Sequence, residues 1–501
     1  MPARTLMIQG TASHVGKSVL VTALCRLFLR RGLKVAPFKA QNMSNNSFVT
    51  PDGREIGRAQ AVQAAACRLA PRTDFNPVLI KPETDRRAQV VVNGRVAGRL
   101  EAGEFGRIRK DYWTVARDAF DRLSAEFDLV VLEGAGSPAE INLRDHDIVN
   151  MAMAKHALAP VLLVGDIDRG GVFAALVGTV VLLTHEERRH VKGVLINKFR
   201  GDERLLISGL REIEDRLGLP CLGILPYVES LGIPQEDSLG WEERNTGAAP
   251  EAHRLMIGVV NYPAASNLTD LEALEAEPDV TVLRLLNPPE CRLDAVVFPG
   301  AKSTPLALEF VTSRGFDLFA RQVVEDGGVV VGLCGGYQLL GRSLLDPLGV
   351  ESTSPVLRGL GLLDVVTTFD REKYTKPVAG RHRETDCPVT GYEVHMGRTT
   401  RGDGVEPLFD LAVTGEGAGE DNYQEGALSR DRLVLGSYVH GLFDAPEFRR
   451  AFLNQMRGSR GWHPLPIQTN RTLEDDLDRL ADFVERHVEI KAIEAIIEQG
   501  V

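Results

Sequence analysis

Over its first part the chain alternates short, unbroken apolar runs with longer stretches whose apolar residues recur at helical spacing. The runs lie at 6–9, 34–38, 129–133, 160–166 and 193–197. Apolar runs too short for helices, set between helical patterns, imply a parallel sheet covered on both faces. Such sheets collect ligands at the carboxyl ends of their strands, and each run here ends in polar residues or glycine. The pattern breaks near Pro234, where Gln235-Glu236-Asp237-Ser238 and Asn245-Thr246-Gly247 read as a linker. A second series follows, with runs at 255–260, 280–286, 295–298 and 328–333, and a more strand-rich part containing 365–368, 391–395 and 433–438. From Thr472 the tail is helical: Thr472 and Asp475 make a capping box, and Leu473, Leu477, Leu480, Val484 and Val488 share one face. Its many acids argue against a membrane-surface helix and for docking on its own protein. The expectation is an α/β protein of two parallel-sheet domains, 1–235 and 252–450, joined by a linker at 236–251 and closed by a helical extension at 451–501. No internal repeat or low-complexity segment is present.

Composition narrows the class. The 501 residues include 58 basic and 69 acidic side chains, a net charge of −11. That balance argues against nucleic acid as partner but leaves room for a basic pocket. Hydrophobic residues make up 44% and charged residues 25%, a globular average. No apolar stretch reaches the length of a membrane span, and the N-terminus does not read as a secretory signal. The six cysteines are scattered without a CxxC pair, which fits a reduced, cytoplasmic chain and offers no metal-site spacing. An enzyme or nucleotide switch is the expected class.

The first candidate site is Gly10-Thr11-Ala12-Ser13-His14-Val15-Gly16-Lys17-Ser18, between an apolar run and a helical pattern. That is the setting of a P-loop, whose backbone N–H groups and helix N-terminus cradle phosphate. Thr11, Val15, Gly16, Lys17 and Ser18 are the nucleotide-binding candidates, with Lys17 on the β- and γ-phosphates and Ser18 on Mg²⁺. Five residues separate Gly10 from Gly16, so Thr11 stands at the usual first-glycine position. Lys39 closes the next run and could add charge, or be an ordinary strand-end lysine. Glu133, an acid after an apolar strand and before glycines, suits a magnesium carboxylate; Asp52 and Glu55 have weaker support. Asn197 could read the base by hydrogen bonding.

The second candidate site is Gly332-Leu333-Cys334-Gly335-Gly336 after a valine run, a nucleophile-elbow pattern. Gly300, Gly335 and Gly336 are the elbow and oxyanion candidates. An ordinary cysteine is only about 3% thiolate at pH 7, so the chemistry needs a helix N-terminus and a histidine. His440, at the polar end of an apolar strand, is the candidate; His395 competes.

Together these motifs resemble the cobyric acid synthase family of the cobalamin pathway, whose members join a dethiobiotin-synthetase-like P-loop domain to a class I glutamine amidotransferase domain. The most specific stretch is Gln41-Asn42-Met43-Ser44-Asn45-Asn46-Ser47-Phe48-Val49-Thr50, continuing through Asp52-Gly53 to Gln60. Others are Gln89-Val90-Val91-Val92-Asn93-Gly94, Glu133-Gly134-Ala135-Gly136-Ser137-Pro138 and Gly165-Asp166-Ile167-Asp168-Arg169-Gly170-Gly171. The resemblance implies ATP, Mg²⁺ and glutamine as ligands, no tightly bound cofactor, and an anionic corrinoid, adenosylcobyrinic acid a,c-diamide, as acceptor. It implies Cys334 as nucleophile and His440 as base. Many class I members carry a glutamate two residues after the histidine; here that position is Leu442, so the third member is missing or supplied elsewhere, which leaves a Cys–His dyad. Gln41, Asn42, Lys81, Arg86, Arg87 and Asp166 are the candidate acceptor contacts. A homo-oligomer is left open, with neither nucleic acid nor membrane as partner. The rivals are cobyrinic acid a,c-diamide synthase, a partitioning-type P-loop switch, and an amidotransferase domain kept only as scaffold.

Overall fold

The computed structural model describes residues 2–84, 86–101, 103–104, 106–228, 232–233, 253–416, 422–468 and 472–501, and the side chains of 106–110 are not described. The expected linker at 236–251 lies outside them.

The apolar runs of the first part form one parallel sheet. Its order is Cys221–Pro226, Val191–Phe199, Val161–Asp166, Arg4–Gly10, Leu129–Glu133, Val35–Phe38. Side chains alternate between faces along each strand, so one core holds Leu6, Ile8, Leu129 and Val131 while the other holds Met7, Val130 and Leu132. Helix Lys17–Arg30 covers the first face through Leu20, Leu24 and Leu27. The two last helices, Leu473–His487 and Ile490–Gln499, complete that cover with Leu477, Leu480, Val484 and Ile493. Arg26, fully buried, is gripped between Asp478 and Glu474 of the tail.

The second sheet runs Val280–Leu285, Leu255–Val260, Ala295–Phe298, Val329–Leu333, Val434–Ser437, all parallel, and ends in the antiparallel strands Ala427–Ser429 and Val405–Glu406. Beside it stands a long hairpin, Val365–His382 with Pro388–Arg401, which pairs with the short strand Val439–His440. Helix Pro446–Ser459 sends Phe448, Phe452, Leu453 and Met456 into this second core. The expected boundary at 450 therefore falls inside a helix, and the extension at 451–501 divides: its first part packs in the second core and its last helices in the first.

Between Val35–Phe38 and Leu129–Glu133 the chain builds a four-stranded layer, in which Val78–Thr84, Arg87–Val92 and Arg95–Glu101 are antiparallel, and the hairpin Ser47–Val49 with Glu55–Gly57. These face the second domain through buried polar pairs. Glu55 lies between Lys81 (2.6 Å) and Lys373, Lys302 donates to Gln89 Oε1 at 2.8 Å, and Thr375 donates to the Gly53 carbonyl at 2.6 Å. Burial opposes charge on Glu55, but Lys373 and Lys81 hold it well below the usual carboxylate range.

Because Leu480 is buried in the first core, Leu480→Ala should cost about 2–5 kcal/mol. Denaturant unfolding of the full chain checks this, and a change within ~0.5 kcal/mol would mean that the tail is not part of that core.

Candidate functional site

At the nucleotide edge, loop 11–16 turns strand Arg4–Gly10 back into helix Lys17–Arg30. Gly16 has φ +100°, and a Cβ there would collide with the Asn197 side chain. Both demands select glycine. The Asn197 amide donates to the Val15 carbonyl at 2.8 Å, and its oxygen accepts the Lys198 N–H at 2.8 Å. These two bonds brace the loop, using one N–H and one lone pair of the amide. Thr11 N–H is tied to the Val164 carbonyl at 2.9 Å. Lys17 is buried, and its Nζ spans the Ala12 and Gly136 carbonyls at 2.9 and 3.1 Å, across the mouth of the loop.

Glu133 is the hub of this site. It is 1% exposed. Its Oε1 accepts from Ser18 Oγ at 2.8 Å and from Lys39 Nζ at 2.7 Å, and its Oε2 accepts from Gln63 Nε2 at 2.5 Å. A hydroxyl beside a carboxylate is the donor set of a hard cation, so Ser18 and Glu133 fit Mg²⁺, and Lys39 Nζ lies beside them on the same carboxylate. Gln63 was not foreseen; a polar residue inside an alanine-rich helix was its one signal. Asp52 is not brought here. It pairs with Arg54 at 3.0 Å and accepts from Thr50 within its own turn, and Glu55 belongs to the interdomain lysine cluster. Both expectations for metal ligands are corrected by those partners.

At the thiol edge, strand Val329–Leu333 ends at Cys334, whose φ of +51° and ψ of −109° mark a strained elbow. Such a non-glycine conformation costs about 1–3 kcal/mol and persists only where the surroundings enforce it. Here Cys334 N–H is held by the Ser437 carbonyl (2.8 Å) and Gly336 N–H by the Pro299 carbonyl (3.0 Å). A Cβ on Gly336 would strike the Phe298 carbonyl. Gly336 is thus an elbow residue with its N–H already used, which corrects its expected role as oxyanion donor. Gly335 opens helix Gly335–Leu340, where first-turn N–H groups lack helical partners. Gly300 lies across the site, its Cβ position 3.5 Å from His440 Cε1.

His440 is 1% exposed and feels the Cys334 sulfur electrostatically, while the thiol itself donates to the Val394 carbonyl at 3.6 Å. The orienting partner missing at Leu442 is Asp270, on the turn Leu268–Leu271: Oδ2 meets His440 Nδ1 at 2.6 Å, and Oδ1 accepts the Gly441 N–H at 2.9 Å. Burial alone would strip the imidazole of its proton, but the Asp270 carboxylate and the Cys334 sulfur overcome it and push the pKa up to about 10. His395 is turned away, paired with Glu393 (3.5 Å) and stacked on Tyr438.

The candidate acceptor contacts scatter. Lys81, 4% exposed, is committed to Glu55 and Ser47. Asn42 donates to Gln60 Oε1 at 3.0 Å in the interior, Gln41 is half-buried on its strand, and Arg87 pairs with Glu83 at 2.7 Å. Lys81 and Asn42 are thus bonded within the interior. Arg86 is exposed. Asp166 ends its strand paired with Lys198 at 2.8 Å, on the same sheet edge as the P-loop.

Residues 6–239 match the CobQ/CobB/MinD/ParA nucleotide binding domain, and 256–448 match the CobB/CobQ-like glutamine amidotransferase domain. A cobyric acid synthase of Dehalococcoides mccartyi is 46% identical over 100% of this chain and 99% of its own length. The chain belongs to the cobyric acid synthase family. Further members are from Sorangium cellulosum (46% identical, 99% of each chain) and Chloroflexus aurantiacus (46% identical, 97% of each). It is therefore a ligase with a glutamine amidotransferase domain. Among solved structures, a glutamine amidotransferase covers 40% of this chain and 98% of its own at 18% identity and TM-score 0.30, a likeness that carries no argument. No helix among the described residues is long and apolar enough to cross a membrane.

The histidine's pair contributes stability that is complete below its unfolded value near 6.5 and is lost as pH rises through about 10. Asp270→Asn should cut glutamine hydrolysis by about 10²–10⁴-fold and move the alkaline limb of the pH profile down from about 10. A steady-state pH series measures both, and an unmoved limb would remove Asp270 from the site.

Proposed function

We propose that the protein amidates the b, d, e and g carboxylates of adenosylcobyrinic acid a,c-diamide, using ATP and glutamine, to give adenosylcobyric acid. The observation that carries the reading is one chain holding a lysine–hydroxyl–carboxylate phosphate site, Lys17, Ser18 and Glu133, together with a Cys334–His440–Asp270 constellation on a strained elbow. The family resemblance supplies the corrinoid.

At the thiol site, Cys334 Sγ attacks the glutamine carboxamide carbon. Gly335 N–H and the Gly300 strand flank the developing oxyanion. His440, held protonated by Asp270, gives its proton to the departing nitrogen, and ammonia leaves a thioester. Water then cleaves it, with His440 taking the water's proton. At the other site Lys17 draws the γ-phosphate oxygens and Lys39 adds charge, while a magnesium ion held by Ser18 and Glu133 would neutralise the transferring group. The acceptor carboxylate, a poor electrophile, becomes an acyl phosphate; ammonia attacks its carbon and phosphate leaves.

Incubation with Mg-ATP, glutamine and the diamide, followed by mass spectrometry, should show successive OH-to-NH₂ exchanges that stop at four. Cys334→Ala should abolish the glutamine-dependent reaction and keep the ammonia-dependent one. Glutamine hydrolysis without any change in the corrinoid would overturn the acceptor and leave the amidotransferase half standing.

A further inference from the structure

The stretch from Gln41 to Gln60, the most specific in the sequence, holds neither the phosphate loop nor the thiol. The structure places it, with the rest of helix Arg58–Ala66, between them. Its hairpin Ser47–Val49 belongs to the nucleotide domain but is bonded into the wall of the glutaminase site. Ser47 N–H donates to Asn267 Oδ1 at 3.1 Å, and Tyr392 O–H donates to the Ser47 carbonyl at 2.7 Å. Asn267, at φ +53°, opens the turn that carries Asp270. The Tyr392 ring lies between Phe48, 4.8 Å away, and His440, stacked at 5.4 Å. Through Ser47 and Phe48 the nucleotide domain thus reaches the groups that set His440.

Helix Arg58–Ala66 continues from the same hairpin. At its first residue, Arg58 is half-buried against the second domain: its guanidinium lies over the Phe48 ring at 5.2 Å, pairs with Asp444 at 3.5 Å, and feels Asp270 and Glu272. Burial disfavours that charge, yet Tyr392, Asp444 and Asp270 raise the guanidinium pKa above its ordinary value. Five residues on, roughly 7.5 Å along the axis, Gln63 is bonded to Glu133. Nearly the whole helix is buried, so its ends cannot shift independently without opening a packed core.

We propose that helix Arg58–Ala66 couples the two active sites, with Gln63 sensing occupancy of the phosphate site through Glu133 and Arg58 positioning the Asp270–His440 pair. The energetic difference between states is local. Glu133 shares its oxygens among Ser18, Lys39 and Gln63. A metal–nucleotide held by Ser18, Lys39 and Glu133 would draw on the same carboxylate that Gln63 bonds, and that carboxylate is where the two states would differ. A ligand shifts an equilibrium only by such a difference. Arg58 and Gln63 are positioning residues: neither touches a reacting atom.

The inference rests on Cys334 being a glutaminase nucleophile, and the test separates the two claims. The full chain is treated with the glutamine-mimicking electrophile 6-diazo-5-oxo-L-norleucine, and the Cys334 peptide is followed by mass spectrometry with and without saturating Mg-ATP. Calorimetry verifies saturation for every variant. Selective labelling of Cys334 supports the glutaminase reading on its own. The coupling predicts that Mg-ATP changes the labelling rate by about fivefold or more, and that Gln63→Ala brings the ratio to one while Mg-ATP still binds. Arg58→Ala should slow labelling by about tenfold and lose the response, and Arg58→Lys should restore much of both. A wild-type rate indifferent to bound Mg-ATP would overturn the coupling, as would a Gln63→Ala chain that keeps the full ratio. Arg58→Lys behaving like Arg58→Ala would remove the positioning role of that charge. Absence of labelling in the wild type would remove the glutaminase reading and the coupling with it.

Discussion

A carboxylate with both oxygens engaged, out of reach of water, fixes the chemistry of the second domain. Asp270 grips the imidazole of His440 with one oxygen and the next backbone amide with the other. The second contact matters as much as the first, because it ties the carboxylate to the chain that carries the histidine. The ring can then neither rotate nor withdraw, and the sulfur beside it faces a cation. Cys334 stays in a costly backbone conformation only because the strand carbonyls of Pro299 and Ser437 hold the elbow from both sides. Electrostatics and strain are thus supplied by the same few residues.

The junction of the two domains is polar as well as buried. Glu55 between Lys81 and Lys373, and Lys302 against Gln89, make a network in which each charge needs its neighbours. Lys302 shows the cost of that crowding: burial, then the fields of Lys373 and Lys81, draw its pKa down to about 7. Buried ion pairs are weak evidence for stability, since an apolar contact of the same volume would hold the domains as well. What they add is intolerance of misalignment, because a displaced partner leaves an uncompensated charge.

The sequence was most legible where the backbone itself makes demands. Gly16 and the glycines around Cys334 stand where no other residue fits, so spacing alone located both loops, and alternating apolar runs located both sheets. Asp270 was invisible because the contact that gives it meaning spans 170 residues, and Asn267-Leu268-Thr269-Asp270 reads as an ordinary turn. The interior bonds of Lys81 and Asn42 were invisible for a related reason. Polar residues in a specific stretch look like ligand contacts until burial shows them bonded to each other. The boundary at 450 missed a local signal, since Pro446 at the start of a helix marks a beginning, and the apolar face that follows continues past it.

The last two helices close a face of the sheet that the first residues begin. On a ribosome, the row containing Leu6 and Ile8 must wait for Ile493 and Ile497, long after the glutaminase domain has emerged. The half that would consume ammonia is thus begun before the other half and closed after it. A truncated or stalled chain leaves that half unfinished, whatever the state of the other.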